Sequence, residues 1–453
     1  MFRRVLIANR AEVGARILKT CNRLGIETVA IASQADREHT WLQGATEVVV
    51  IGGARPSESY LNQDAILEVA LATRCSALHP GWGFLSENAR FAARCESVGL
   101  TFIGPRPSDI RQMGDKALAR STMARLGLPT IPGSNGPFPT EQAALESARD
   151  IGFPMLVKAV AGGGGRGMRV VENEDGFVDA WRSAGREASS AFGDGRLYME
   201  RLLRGARHIE VQIAADGYGN VVHFGERECS LQRRHQKVLE EAPSAGLSAS
   251  ARATMFHNVC TAVAASGYRS VGTVEMLADQ TGAAYFLEMN TRLQVEHGVS
   301  ELLTGQDLVE WQLRIAANAG LPATQDGVVA EGHAIECRIN AEDPSDAFRP
   351  SPGTVSRLVL PDGEGVRVDT HLSSGDRIPP HYDATVAKIL THGSTRTQAI
   401  ERMNAALVAL RVEGVRTNTA LHLDMLKWPS FVEGDYDIGT LERELAGGAH
   451  GAT

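Results

Sequence analysis

Residues 154–168 read PMLVKAVAGGGGRGM: a short apolar run reaches Lys158, crosses four successive glycines at 162–165, and closes on Arg166, Gly167 and Met168. The first half predicts a strand, PMLVKA over 154–159, running into the glycines. A glycine run exposes backbone N–H groups that can approach phosphate oxygens closely. Lys158 and Arg166 add positive charge beside it. Flexible linkers are usually serine-rich and lack a flanking strand, so a phosphate-binding loop is the favoured reading. The pattern is neither G-x-x-x-x-G-K-[ST] nor G-x-G-x-x-G, and neither a Walker nor a Rossmann site is indicated.

On the N-terminal side the chain alternates strand and helix. RVLIA (4–8) is a buried strand, 12–24 has helical spacing stopped by Gly25, ETVAIA (27–32) is a second strand, and TFI (101–103) a later one. Such alternation implies a parallel sheet covered by helices. This first unit is placed at 1–114. GLPTIPGSNG (127–136) is a hinge by its Pro/Gly punctuation. YMERLL (198–203) and HIEVQIA (208–214) read as paired strands or strand edges. GTVEML (272–277) and AYFLEM (284–289) are two further strands, each carrying one glutamate, and a helix over 306–318 closes the second unit at about 330. From 331 to 446 the chain is rich in strands and turns (HAIECRI, TVSRLVL, DGEG, VRVDT), with a helix over 397–410; 447–453 is a tail. The expected class is α/β, α+β in part.

The chain has 453 residues, enough for about three domains. A formal net charge of −8 leaves no excess of Lys and Arg to replace phosphate counterions, which argues against a nucleic-acid binder. The six scattered cysteines form no C-x-x-C pair, and a reducing compartment is expected. The opening MFRRVLIANR has too short an apolar run for a signal peptide, and no apolar stretch reaches membrane-spanning length. A cytoplasmic protein is expected, with neither nucleic acid nor membrane as partner.

Three further segments carry chemistry. Glu275 and Glu288, on strands that could be adjacent, make a hard oxygen site with Asn290 suited to Mg²⁺ bridging phosphates; two solvated glutamates is an equally good reading. EMNTRLQVEH (288–297) packs carboxylates, a cation and amides just after a strand, where function concentrates. ERECSLQRRHQK (226–237) is a cationic stretch in an acidic chain, suited to anions or to an exposed basic surface.

In order and spacing, the chain resembles the biotin carboxylase family of the ATP-grasp superfamily over almost its whole length. IANR (7–10), HPGWGFLSEN (79–88), MGDK (113–116), the glycine loop, RHIE (207–210) and residues 229–237 carry the resemblance. GTVE (272–275), 288–297, ECR (336–338), YD (382–383) and TN (417–418) complete it. It implies an ATP-grasp fold: an N-terminal parallel α/β domain, a glycine-rich lid at about 131–203 within 115–330, and a strand-rich C-terminal domain.

The resemblance also implies roles. Lys116, Lys158, Gly163, Gly164, Gly165 and Met168 would hold ATP, with Glu200, Leu202 and Leu203 lining the adenine pocket beside His208, Gln232 and His235. Glu275, Glu288 and Asn290 would hold Mg²⁺ (or Mn²⁺). Lys237, Arg292, Gln294 and the Val295 backbone would hold bicarbonate, Glu296 would be the base, and Arg338 would face biotin. The implied reaction makes carboxyphosphate and ADP, then carboxylates biotin. No Ala-Met-Lys-Met biotin-attachment sequence occurs, so a free-standing subunit is expected that needs a biotin carboxyl carrier protein and a carboxyltransferase as partners; the resemblance also implies a second copy in a homodimer. A ligase that attacks its acyl phosphate with an amine would share the ATP site; Arg292, Glu296 and Arg338 together favour biotin. The chain departs from the family at Ala11 (usually Gly), Trp82 (usually Tyr), 41–45 and Gly298 (commonly Pro), the last predicting a less rigid loop.

Overall fold

The computed structural model describes residues 1–134, 136–161 and 167–448. The first segment alternates as β1 (Arg4–Ile7), α1 (Ala11–Arg23), β2 (Glu27–Ala32), β3 (Glu47–Val50), α2 (Gln63–Ala72), β4 (Ala77–His79), α3 (Ala89–Ser97) and β5 (Thr101–Phe102). These strands pair in parallel in the order β3-β2-β1-β4-β5. β1 is central, so Val5, Leu6 and Ile7 are all buried, which is why its sequence is continuously apolar rather than alternating. The departure at 41–45 lies in a short 3₁₀ turn whose Trp41 ring packs on Gly14 of α1, where a Cβ would come within 2.6 Å of it.

Next come α4 (Pro107–Gly114) and α5 (Lys116–Arg125). The Asp115 carboxylate between them caps α5 by accepting from the Leu118 N–H. A small layer follows: α6 (Glu141–Ile151), β6 (Met155–Ala159), β7 (Met168–Val171), α7 (Phe177–Phe192) and β8 (Leu197–Arg201). Its antiparallel sheet, β7-β6-β8, is covered by the helices through Met155, Val157, Phe177, Ala184 and Met199. Lys158 and Met168 are register partners on β6 and β7.

The largest sheet comprises β9 (Arg207–Asp216), β10 (Val221–Arg233), β11 (Gln236–Ala242), β12 (Arg269–Ala278) and β13 (Ala284–Asn290), with α8 (Ala249–Ser266) between β11 and β12. α9 (His297–Thr304) and α10 (Leu308–Ala316) follow, then β14 (His333–Asn340), β15 (Val366–Thr370), β16 (Thr385–Gly393) and α11 (Arg396–Ala409). Eight strands run antiparallel in the order β13-β12-β9-β10-β11-β14-β16-β15. Ile209, Val211 and Ile213 of β9 pack with Met255 and Val259 of α8. The intervening His208, Glu210 and Gln212 therefore point to the opposite face, as strand alternation requires.

Two expectations change. The segments at 198–203 and 208–214 do not pair: β8 joins β6 (Leu156 opposite Glu200), whereas β9 already has β10 and β12 on its two edges. TVSRLVL is not one strand but two short ones, Gly353–Thr354 and Arg357–Val359, because the Val355 and Ser356 N–H groups turn to different carbonyls, Asp376 and Glu413, each at 2.9 Å. Across position 330 the sheet is continuous, since β11 and β14 pair directly (Glu240 opposite Glu336).

Candidate active site

The register of the large sheet builds a row of charge. Arg227 of β10 lies opposite Glu210 of β9, Glu210 opposite Glu275 of β12, and Glu275 opposite Glu288 of β13. Three carboxylates abreast repel one another, so cations must hold the row together. Fully buried Arg227 bonds Glu210 at 3.1 Å, Gln212 at 2.6 Å, Ser300 at 3.0 Å and also Gln294. The Lys237 ammonium contacts Glu210, Glu275 at 3.1 Å and Glu296 at 2.6 Å. His208 bridges Glu210 and Glu275 at 3.1 and 3.2 Å, and Lys116 reaches Glu288 at 2.8 Å.

These fields set protonation. Burial pushes His208 down, but Glu275 and Glu210 outweigh it and hold the imidazolium up to about 9. Burial raises Glu210, yet Lys237 and His208 pull it well below the usual carboxylate range. Burial also works to raise Glu296, but Lys237 and Arg338 hold it down to about 2, a fixed anion. The Arg338 guanidinium donates to Glu240 at 2.6 Å and to Glu296 at 2.9 Å.

Around this floor is a cleft of about 660 Å³. It gathers Lys116, Lys158, Met168, His208, Gln232, His235, Lys237, Glu275, Glu288 and Asn290 with Arg292, Gln294, Val295, Glu296 and Arg338. At one end Leu156, Ala159, Tyr198, Leu277, Leu287 and Ile438 give it apolar walls fit for a planar ring. The N-terminal segment contributes Arg10, Trp82 and Phe84, and the C-terminal segment Asp383 and Thr385. His235 is presented by a two-residue turn between β10 and β11, where Arg234 and His235 have φ +48° and +65°. Arg292 donates to Glu87 at 2.8 Å and to the Asn290 oxygen at 2.9 Å.

Not every expected residue lies on the wall. Glu200 is buried behind it, paired with Lys158 and with Arg120 at 3.4 Å. Leu202 and Leu203 are outside the lining. Gly163, Gly164 and Gly165 lie outside the described residues. Gly298 is not in a loop: it is buried in the first turn of α9, where a Cβ would meet Leu390 at 2.3 Å and Glu336 at 3.2 Å. Trp82 lies 5.2 Å from the buried Lys388 ammonium. Sequence reasoning gave no individual role to Glu210, Arg227, Glu240, Glu87 and Lys388, although Glu210 lies inside RHIE, Glu87 inside HPGWGFLSEN and Arg227 inside the cationic stretch 226–237.

The donor set can be tested for a divalent cation. Glu275 and Glu288 are register partners that both line the cleft, with Asn290 two residues on. Hard oxygens beside a triphosphate-sized cavity fit Mg²⁺. Glu275 also belongs to one of two tighter clusters, His208–Glu210–Glu275 and Glu210–Cys229–Glu296, whose carboxylates meet the His208 ring or the Lys237 ammonium.

Three family models match the chain. Residues 1–110 match the family model for the biotin carboxylase N-terminal domain, 115–324 that for the carbamoyl-phosphate synthase L chain ATP-binding domain, and 336–443 that for the biotin carboxylase C-terminal domain. A biotin carboxylase of Pseudomonas aeruginosa is 50% identical over 451 residues, 99% of this chain and 100% of the relative. A Campylobacter jejuni biotin carboxylase solved as a β,γ-ATP complex superposes with TM-score 0.95 at 43% identity, over 98% of this chain and 99% of that one. The biotin carboxylase domain dimer of Hydrogenobacter thermophilus 2-oxoglutarate carboxylase, solved with MgADP, ADP and bicarbonate, gives 0.94 at 44%, over 98% of both chains.

Proposed function

This chain belongs to the biotin carboxylase family, and from that premise we propose that its cleft carries out ATP- and bicarbonate-dependent carboxylation of biotin through the residues described above. The enzyme is an ATP-dependent ligase that uses ATP, Mg²⁺, bicarbonate and biotin. One observation carries the site assignment: Glu296 is a buried anion bracketed by Lys237 at 2.6 Å and Arg338 at 2.9 Å within the cleft.

Lys116 and Lys158, which both line the cleft, receive the phosphates, and the apolar end takes adenine. Glu275, Glu288 and Asn290 would hold Mg²⁺, whose charge would offset that of the phosphates. Lys237, Arg292, Gln294 and Val295 fix bicarbonate. Bicarbonate is a weak nucleophile, so Glu296 takes its proton as it attacks the γ-phosphate. A carboxylate held at about 2 is a poor base; once Lys237 turns to bicarbonate and Arg338 to the biotin ureido oxygen, Glu296 loses the two cations that hold it down. Its basicity thus rises only in the filled site. Carboxyphosphate then breaks into CO₂ and phosphate, the phosphate takes the ureido N–H proton, and Arg338 stabilises the resulting enolate-like oxygen while the nitrogen attacks the CO₂ carbon.

We extend the proposal to partners: a second copy, a biotinylated carrier protein and a carboxyltransferase. The dimer named for the Hydrogenobacter domain supports the first. A cytoplasmic setting is supported by six free cysteines; among the described residues no helix is long and apolar enough to cross a membrane.

The test is ADP release with bicarbonate, with and without free biotin. Bicarbonate-dependent turnover that biotin stimulates is expected, whereas amine-dependent, biotin-indifferent turnover would sink the proposal. Glu296→Gln should lose at least about 100-fold in turnover, the scale of general-base catalysis, with nucleotide affinity nearly intact. Full turnover in that variant removes Glu296 from the mechanism.

A further inference from the structure

Behind Arg338 lies a pair of acids that the reaction does not use directly. Glu240 of β11 and Glu336 of β14 are register partners, side by side on one face of the sheet, and both are fully buried. Glu240 spends one oxygen on Arg338. Its other oxygen and both oxygens of Glu336 have no hydrogen-bond partner among the described residues. The cation whose field reaches Glu336 most strongly is Lys388, and that ammonium is engaged with the Val295 carbonyl at 2.8 Å, Glu12 at 3.1 Å and Asp369 at 3.8 Å. α9 seals the other side, with Gly298 against the Glu336 carboxyl.

We propose that Glu240 and Glu336 share one proton, as an acid–carboxylate pair that positions Arg338 toward Glu296 and the biotin end of the cleft. This rests on the reading of Arg338 given above. Two carboxylates abreast in a dry site cannot both stay charged, and a single proton between them gives each a partner. The charged groups that face them agree. Around Glu240 are Arg338, Glu296 and Lys237, with the Cys229 thiol raised by burial and neutral. Around Glu336 are Lys388, Glu240, Arg338 and Glu296, with the Cys337 thiol likewise neutral. From α9, Glu301 is committed to Arg16 and Arg367, and burial holds His297 neutral, at about 3. Burial lifts Glu336 well above the carboxylate range and, against Arg338, lifts Glu240 to about 7.

With one proton, the pair presents a single negative charge to Arg338. Loss of that proton puts two anions behind the guanidinium and draws it away from Glu296 and biotin. Arg338 is the residue that touches substrate; Glu240 and Glu336 are positioning residues.

The experiment uses the full chain with free biotin as probe. Infrared difference spectra with ¹³C-labelled glutamate should show a protonated buried carboxyl at neutral pH that disappears in Glu336→Gln. Glu240→Gln should raise the KM for biotin about tenfold more than the KM for ATP, the worth of one charge-assisted hydrogen bond. Glu336→Gln should flatten the rise of biotin KM at alkaline pH. No protonated carboxyl in the unaltered protein, an unchanged band in Glu336→Gln, or an equal rise in both KM values overturns the proposal. If the unaltered protein fails to cleave ATP with bicarbonate, the functional reading has failed, and the infrared band still decides the pair.

Discussion

Ala11 has φ +56°, a left-handed conformation in which a Cβ crowds the backbone and costs about 1–2 kcal/mol. Its neighbours Arg10, fixed to Asp36 at 2.6 Å, and Glu12, 3.1 Å from Lys388, pin the backbone there. Ala11→Gly should therefore stabilise the protein by about 1 kcal/mol, less what glycine adds to the freedom of the unfolded chain, read as a higher urea midpoint with unchanged slope. The sequence marked Ala11 as a departure but could not say that the position demands φ above zero. Residue types were legible wherever a local motif concentrated them: Lys237, Arg292, Glu296 and Arg338 all belong to short polar runs. The ion pairs of Glu210, Arg227 and Glu240 were not, although RHIE and the stretch 226–237 marked the first two, because their meaning comes from strands lying abreast, and nothing local in ERE or LEEA tells a paired charge from a solvated one.

Among the elements, β11 shows how one strand serves two faces. Glu240 turns to Arg338, and the next residue, Glu241, turns to Arg396 of α11 at 2.7 Å and His333 at 2.6 Å. Burial works to raise Glu241, but His333 and Arg396 bring it from the ordinary 4.5 to about 2. A depressed carboxylate contributes stability that is present above 4.5 and lost as pH falls toward 2, here on the order of 3 kcal/mol. Urea unfolding across that range should show the loss in the unaltered protein, and Glu241→Gln, already less stable at neutral pH, should lose correspondingly less. An equal acid loss in both would assign it elsewhere. Strand existence was legible from apolar runs such as ETVAIA and GTVEML. Pairing was not: YMERLL and HIEVQIA look alike in sequence yet belong to different sheets, because partner choice depends on edges already taken.

Across the whole molecule, Lys388 ties three segments together. It lies on β16, meets Glu12 of α1 at 3.1 Å and donates to Val295, just before α9, at 2.8 Å, all without solvent exposure of its own. Lys388→Met fills the volume but strands Glu12, whereas Asp369 keeps Arg367 at 2.6 Å, and should cost about 3–5 kcal/mol, read by calorimetry. A loss below 1 kcal/mol would mean that Glu12 simply takes up a proton. Composition and motif order led to an expected three-part division, but nothing in them showed that β11 and β14 lie side by side in one sheet. That seam has a practical consequence. Severing the chain in the connection between α10 and β14 and then parting the pieces would strip the neighbour from two long strands at once, leaving open backbone donors and acceptors as a template for aggregation. A fragment ending near 330 should therefore clump when expressed alone, whereas a nicked protein with both pieces present should remain whole.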